Sequence, residues 1–359
     1  MKGLILSGGA GTRLRPLTHS SAKQLVPIAN KPILFYGIEQ LARSGIQEIG
    51  IIVGETESEI RDAVGDGRSW DVEITYIPQE QPLGLAHCVL IAKDFLGKED
   101  FVMFLGDNML EDELSSLVKK FKTDRSNNLL DSRVLLKEVE NPQAFGVAEI
   151  NKDGVIVALK EKPQDPVSNL ALVGVYFFTA SIHDAVSEIK PSERGELEIT
   201  DAIQTQINNG RIVDHDILKG WWIDTGKKDP LLECNRQVLR TISNEIHESV
   251  EISQNSSVDQ QVQIGLGSRI INSHLRGPIV IGKNVTVVNT SIEPFTSIGD
   301  GSTIENSLIE NSVLMKECSI KDSRYLTNSL LGNFCEVTGP QSSSPCSLMI
   351  GDDSILDLP

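Results

Sequence analysis

The sequence lacks any pair of cysteines in metal-binding or redox spacing. Its five cysteines (Cys88, Cys234, Cys318, Cys335 and Cys346) are scattered and odd in number. That excludes a disulfide framework or zinc ribbon and leaves reduced, mostly structural thiols. Six histidines form no ligand cluster, and His19 is read as a surface or hydrogen-bonding residue. Basic charge is also short: 33 Lys and Arg stand against 50 Asp and Glu, a net charge of −17. A general nucleic-acid surface needs a basic face and is excluded. No apolar run approaches a membrane span. The first residues show no charged-then-apolar leader, so a cytoplasmic location is expected. What remains is a chain of 359 residues, 40% hydrophobic, long enough for a large core divided between two domains.

Residues 7 to 25 read SGGAGTRLRPLTHSSAKQL, directly after the apolar strand Gly3-Leu4-Ile5-Leu6. A strand breaking into glycines exposes consecutive backbone N–H groups, which suits an anionic phosphate chain. Thr12 adds a hydroxyl, and Arg13, Arg15 and Lys23 concentrate positive charge in an acidic protein. A Walker loop would need Gly-Lys-Ser/Thr where Gly11-Thr12-Arg13 stands. A dinucleotide fingerprint starting at Gly9 would need glycine at Leu14. The pattern GGxGTRLxPLT followed by a lysine resembles the signature of sugar-phosphate nucleotidyltransferases.

Up to about residue 240, apolar runs alternate with amphipathic helical spacing. Strands are expected at 49–53, 72–77 and 101–105, with helices at 33–41, 60–64 and 84–95. This order implies an α/β fold with a doubly wound, mostly parallel sheet, Rossmann-like, with ligands at the carboxyl ends of the strands. Further strands are expected at 146–150, 155–159 and 172–178, and helices at 196–208 and 231–242. From about residue 250, Ile252, Val258, Ile264 and Ile270 recur every six residues. The step returns at Ile281-Val287, at Ile292-Ile298-Ile304 and at Ile320-Leu326, with some five-residue steps, as from Val287 to Ile292. One aliphatic anchor per six residues marks a hexapeptide parallel β-helix. The expected domains are 1–245, catalytic; 246–340, β-helix; and 341–359, a loop-like tail.

Asp107, in Leu105-Gly-Asp-Asn, ends an apolar strand where a carboxylate can hold a hard cation against phosphate oxygens. Asp224, in Gly220-Trp-Trp-Ile-Asp-Thr-Gly226, also ends a short apolar segment. Either could instead cap a turn, and the sequence does not bring them together. Over residues 1 to 240 the motifs Gly8 to Thr18, Lys23-Gln24-Leu25, Gln79, Pro82-Leu-Gly-Leu-Ala86, Gly106-Asp-Asn108, Phe145-Gly146, Glu161-Lys-Pro163, Val173-Gly174 and Trp222-Ile-Asp-Thr-Gly226 resemble the sugar-nucleotide pyrophosphorylases. The whole chain is similar to their long, thymidylyl-transferring form, which carries a C-terminal left-handed β-helix.

The resemblance implies the roles of particular residues. Asp107 and Asp224 bind Mg2+. Gly8, Gly11, Thr12 and Arg13 hold the triphosphate, and Lys23 contacts the phosphates of the reacting pair. Gln24 and Gln79 lie near the pyrimidine, where an amide can both donate and accept, and Gly84 gives base or ribose access to backbone. Gly146, Glu161 and Val173 bind the hexose and Lys162 its phosphate, with Asn108 and Trp222 in the same substrate-binding set. The implied substrates are dTTP and glucose 1-phosphate. The implied reaction is in-line attack by the sugar phosphate on the α-phosphorus, which needs no nucleophilic side chain. Three alternatives stay open: UTP or another hexose phosphate on the same fold, a non-catalytic sugar-nucleotide sensor, and a second, acyl-transferring activity. The last finds only His274 in the repeat region. The β-helix is expected to support a homo-oligomer and to contribute nothing to the reaction directly.

Overall fold

The computed structural model describes all residues except 10, 128, 129, 324, 340–343 and 359. The chain divides into two compact units, Met1–Ala10 with Leu34–Ile223, and Gly11–Ile33 with Asp224–Pro359. Strand β1 (Lys2–Leu6) belongs to the first; the short hairpin β2 (Pro27–Ile28) and β3 (Lys31–Pro32) belongs to the second.

In the first unit, α1 (Ile33–Arg43), β4 (Glu48–Val53), α2 (Glu57–Val64) and β5 (Glu73–Pro78) follow one another. Then come α3 (Leu85–Ile91), α4 (Lys93–Leu96), β6 (Phe101–Leu105), β7 (Asn108–Leu110) and α5 (Leu114–Ser126). The expected helix over 84–95 is therefore two pieces meeting at Ala92. β5, β4, β1 and β6 lie side by side in that order, all parallel. The chain builds outward from β1 to β5, then returns to place β6 on the other side of β1. The switch point of the winding thus lies between β1 and β6, where ligands of such sheets bind. Leu4, Ile5, Ile51, Ile52, Val102 and Met103 are fully buried, as continuous apolar strands with covered faces should be.

The rest of the nine-stranded sheet is of mixed direction. It contains β8 (Ser132–Glu138), β9 (Gly146–Ile150), β10 (Ile156–Glu161) and β11 (Leu170–Phe178). After α6 (Ile182–Glu188) and α7 (Ile199–Asn208) comes β12 (Val213–Ile217). β11 runs antiparallel to β6, β8 and β9, and β12 pairs parallel with β8. A short β13 (Trp222–Asp224) precedes α8 (Lys228–Leu239), which starts and ends three residues before the expected 231–242.

In the second unit, short strands from Glu245–Ile246 to Ile355–Asp357 stack in parallel into sheets of seven, seven and five. This is a left-handed β-helix. One ladder runs Ile270, Val287, Ile304, Ile320, Val337 and Leu356. Its rungs are 17, 17, 16, 17 and 19 residues apart. A five-residue step in each, from Ile270 to Leu275 and from Val287 to Ile292, makes the first two coils of this ladder 17 rather than 18 residues. Ile281, Val287, Ile292, Ile298, Ile304, Ile320 and Leu326 are fully or almost fully buried, whereas Ile252, in the first coil, is 42% exposed. The segment after residue 340 is not loop-like throughout. Met349–Ile350 and Ile355–Asp357 pair with Leu330–Leu331 and Glu336–Thr338 and add strands to the stack.

Candidate active site

Within the first unit the ends of β1 and β6 are adjacent, and the Gly106 amide donates to the Leu6 carbonyl at 2.9 Å. Gly8 follows β1 and Asp107 follows β6, so both lie at the switch point. A Cβ at Gly8 would come 3.0 Å from Gln79 Oε1. Gln79 Nε2 lies 3.0 Å from His87 Nδ1 and donates to Cys88 Sγ at 3.3 Å. Burial lowers the His87 pKa and pushes the Cys88 thiol up to about 12. His87 is therefore neutral and able to accept at Nδ1, and the Gln79 amide is oriented with its nitrogen toward the protein and its carbonyl oxygen toward Gly8.

Asp107 Oδ1 accepts from Asn108 Nδ2 at 3.0 Å. Asn108 Oδ1 in turn accepts from Trp222 Nε1 at 2.6 Å and from the Gly174 amide at 3.3 Å. A Cβ at Gly174 would stand 2.6 Å from Asn108 Oδ1, so only glycine leaves room there. The Trp222 ring packs against Phe145 at a centroid distance of 5.1 Å. Asn108 is buried, and this network fixes the side chain next to Asp107. Val173 is fully buried.

A second group surrounds Gly146. A Cβ there would lie 2.8 Å from Thr200 Cγ2 and 3.2 Å from Glu161 Oε2. Glu161 faces Lys162 Nζ at 3.4 Å and Arg194 Nη1 at 3.3 Å. Lys162 holds φ +38°, a left-handed conformation that non-glycine residues adopt rarely and often at functional sites. Burial raises the pKa values of Glu198 and Asp201, and the charge of Glu161 raises both further. Sequence reasoning missed Arg194, which bridges Glu161 and Glu198 from a charged loop without a motif. Gly84 has a packing explanation. At φ +102° its Cβ would collide with the Leu197 backbone at 2.5 Å.

The remaining candidates lie in the second unit. Gly11, at φ +62°, brings its α-carbon close to Thr18 and Lys23: a Cβ would lie 3.0 Å from Lys23 Cβ. Thr18 Oγ1 donates to the Gly11 carbonyl at 2.7 Å. Thr12–Leu14 forms a single 3-10 turn with Thr12 and Arg13 exposed. Asp224 Oδ1 accepts from the Gly226 amide at 3.0 Å, and a Cβ at Gly226 would lie 3.2 Å from Arg13 Nη2. Arg13, Asp224 and Gly226 therefore cluster. Gln24 is 1% exposed, and its Oε1 has no hydrogen-bond partner among the described residues.

Residues 2–241 match the family model described as nucleotidyl transferase. A glucose-1-phosphate thymidylyltransferase of Streptomyces antibioticus is 51% identical over 281 residues, 78% of each chain. A Bacillus anthracis chain, solved with sucrose and proposed as a glucose-1-phosphate thymidylyltransferase, superposes with a TM-score of 0.62 at 34% identity. That match covers 68% of this chain and 97% of that one. A UDP-glucose pyrophosphorylase solved with UDP-glucose gives a TM-score of 0.58 at 28% identity, covering 67% and 98%.

Proposed function

This chain belongs to the nucleotidyl transferase family, and on that premise we propose that it converts dTTP and α-D-glucose 1-phosphate into dTDP-glucose and pyrophosphate. The Streptomyces relative, at 51% identity, supports the substrate pair. The observation that carries the base preference is the Gln79 amide. With its nitrogen engaged by His87 and Cys88, it offers an acceptor at Gly8. The N3–H of thymine or uracil can donate to that oxygen; cytosine N3, a lone pair, cannot.

An oxygen of the sugar phosphate attacks the α-phosphorus in line with the departing pyrophosphate. Both reactants are anions, so the chain's part is to neutralise charge and hold the line of attack. Arg13 serves the triphosphate, Lys23 the phosphates of the reacting pair, Lys162 the sugar phosphate, and Gly146, Glu161 and Val173 the hexose. Gly8, Gly11, Thr12, Gln24, Gly84, Asn108 and Trp222 complete the substrate-binding set. Enzymes of this family generally use a divalent metal; here we assign Mg2+ to Asp107 and Asp224, where it would neutralise phosphate charge. The donor set suits it. Two carboxylates are hard oxygen donors, and Mg2+ commonly takes one or two carboxylates plus substrate phosphates.

The catalytic domain is assigned to residues 1–245, in keeping with the family match at 2–241. The flat faces of the β-helix suit self-association into a homo-oligomer. A cytoplasmic setting is part of the same proposal; no described helix is long and apolar enough to cross a membrane. UTP is the second reading, favoured by the likeness to a UDP-glucose pyrophosphorylase. Pyrophosphate release from dTTP, UTP and dCTP, each with several sugar 1-phosphates, tests both. The expected order is dTTP first, UTP weaker and dCTP inert. Turnover with dCTP equal to dTTP would overturn the role of Gln79, and silence with every pair would leave the sensor reading.

A further inference from the structure

Between Gly11 and Ile33 the described chain has no α-helix before Ile33 and no strand longer than two residues. It consists of three 3-10 turns and the β2–β3 hairpin. Backbone pairing of this kind is too sparse to fix Arg13 and Lys23, so side chains must do it. The contacts within the second unit come from the far end of the chain. Asp352, in the last coil of the β-helix, accepts at Oδ2 from Ser20 Oγ at 2.8 Å and from Ser21 Oγ at 3.3 Å. Its other oxygen, Oδ1, accepts from the Asn333 amide at 2.7 Å. Asp300 and Asn333 accept from the preceding coil in the same way, from the Lys283 and Lys316 amides. The Oδ2 contact is the addition. Beside Asp352, Gly351 leaves no room for a side chain, since a Cβ would lie 2.9 Å from the Pro16 carbonyl.

The hairpin is tied as well. Ala29 and Asn30, both at positive φ, form its two-residue turn. The Ala29 amide donates to Asn235 Oδ1 at 2.8 Å, and Asn30 Nδ2 donates to the Ile298 carbonyl at 2.6 Å. Asn235 is fully buried and held by Ser297 Oγ at 2.9 Å and the Phe295 carbonyl at 3.1 Å.

We propose that the β-helix is a positioning element of the phosphate-binding segment, with Asp352 the positioning residue that holds Ser20 and Ser21 and, two residues on, Lys23. This adds an indirect role to the expectation that the β-helix contributes nothing to the reaction directly, and it rests on the nucleotidyl-transfer reading above. Asp352 touches no substrate; it acts through the loop.

The test uses the full-length protein with Mg2+, dTTP and glucose 1-phosphate. Asp352→Ala, and separately Ser20→Ala with Ser21→Ala, should each raise the KM for dTTP by about tenfold, the scale of one charge-assisted hydrogen-bond network. The KM for glucose 1-phosphate should rise less, since Lys162 is assigned to its phosphate and lies outside this loop. Combining all three substitutions should add nothing further, because both sets remove one interaction. Asp352→Asn should restore the dTTP KM, since an amide can donate to the serine hydroxyls and still accept from Asn333. Trypsin should cut at Lys23 faster in the Ala variants, whatever the substrate. Should Asp352→Ala fail to fold, the serine pair decides, because it leaves the β-helix intact. Unchanged kinetics and unchanged trypsin cleavage in the serine pair would overturn the inference. A wild-type protein inactive with every pair would instead overturn the functional reading, and trypsin would still report whether the loop is tied.

Discussion

Met103 and Ile304 are both fully buried, yet the chain holds them in different ways. Met103 pairs with Leu4 on one side and Tyr176 on the other, residues brought together from opposite ends of the α/β unit. Ile304 pairs with Val287 and Ile320, one coil away on each side. A sheet built by long returns delivers loops from distant stretches of sequence to one strand end, so chemistry can be assembled there. A solenoid offers nearly the same face on every coil, so function enters where a coil departs from the repeat, as at Asp352. Polar interiors differ too. The α/β unit buries Arg133 with Asp124 and Asp214 at 2.6 Å, and it also buries His183 and Glu198. The β-helix fills its buried polar positions with Ser, Thr and Asn, which carry no charge.

If strand-end loops carry the chemistry, the largest effect of any single change should come from Asp107→Asn. The variant keeps the shape and can keep its contact with Asn108, but removes the charge that holds the cation. Turnover should fall by about a hundredfold or more, the range for lost electrostatic stabilisation at a reacting phosphate, with the melting temperature near that of the wild type. Stopped-assay pyrophosphate release and thermal denaturation check both. Near-normal turnover would remove Asp107 from the metal site.

The nearest-neighbour character of the solenoid gives the second test. Ile304→Ala should cost about 2–5 kcal/mol, the range for deleting a buried aliphatic side chain. Ile252→Ala, in the exposed first coil, should stay within about 0.5 kcal/mol. Hydrogen exchange in the Ile304 variant should accelerate first in strands Thr286–Val288, Thr303–Glu305 and Ser319–Lys321, which stack directly on the change. Equal acceleration across β1, β4 and β6 would mean that the two cores melt together and would erase the contrast.

Much of this contrast was legible in the sequence because both regions repeat a simple pattern. Apolar runs ending in Gly8 and Gly106 mark buried parallel strands, and six-residue spacing of Ile and Val marks the coils. β12 was not legible: Val213-Asp-His-Asp-Ile217 carries charges, which Arg133 on the neighbouring β8 and Lys120 on α5 pair with Asp214 and Asp216. The last coil was hidden for another reason, since 19 residues separate Val337 from Leu356 and break the rhythm. In the candidate site, the glycine loop and Asp107 stood out by position. Arg194 to Glu161 and Ser20 to Asp352 did not, because contacts spanning 33 and 332 residues leave no local pattern. The packing constraint on Gly84 was equally hidden, because the Leu197 backbone that presses on it lies over a hundred residues away.

The smallest effect concerns charge in the two interiors. His183 is 7% exposed, with its ring against Phe101 at a centroid distance of 6.2 Å. Burial lowers its pKa, Lys93 lowers it further and Asp184 opposes. The folded protein therefore keeps this histidine neutral at a pH where the unfolded chain has begun to bind a proton. Its contribution to stability is present above the ordinary histidine pKa of about 6.5 and is lost as pH falls through that value, levelling off below the folded pKa. Glu198 and Asp201, whose pKa values are raised, act in the opposite sense at lower pH, so the wild-type curve alone mixes these terms. The difference between wild type and His183→Leu isolates the histidine. Between pH 7.5 and 5.5 the wild-type melting temperature should fall more than that of His183→Leu, whatever constant offset the substitution introduces. Parallel curves for the two proteins would show that His183 takes up its proton in the folded state as readily as in the unfolded chain.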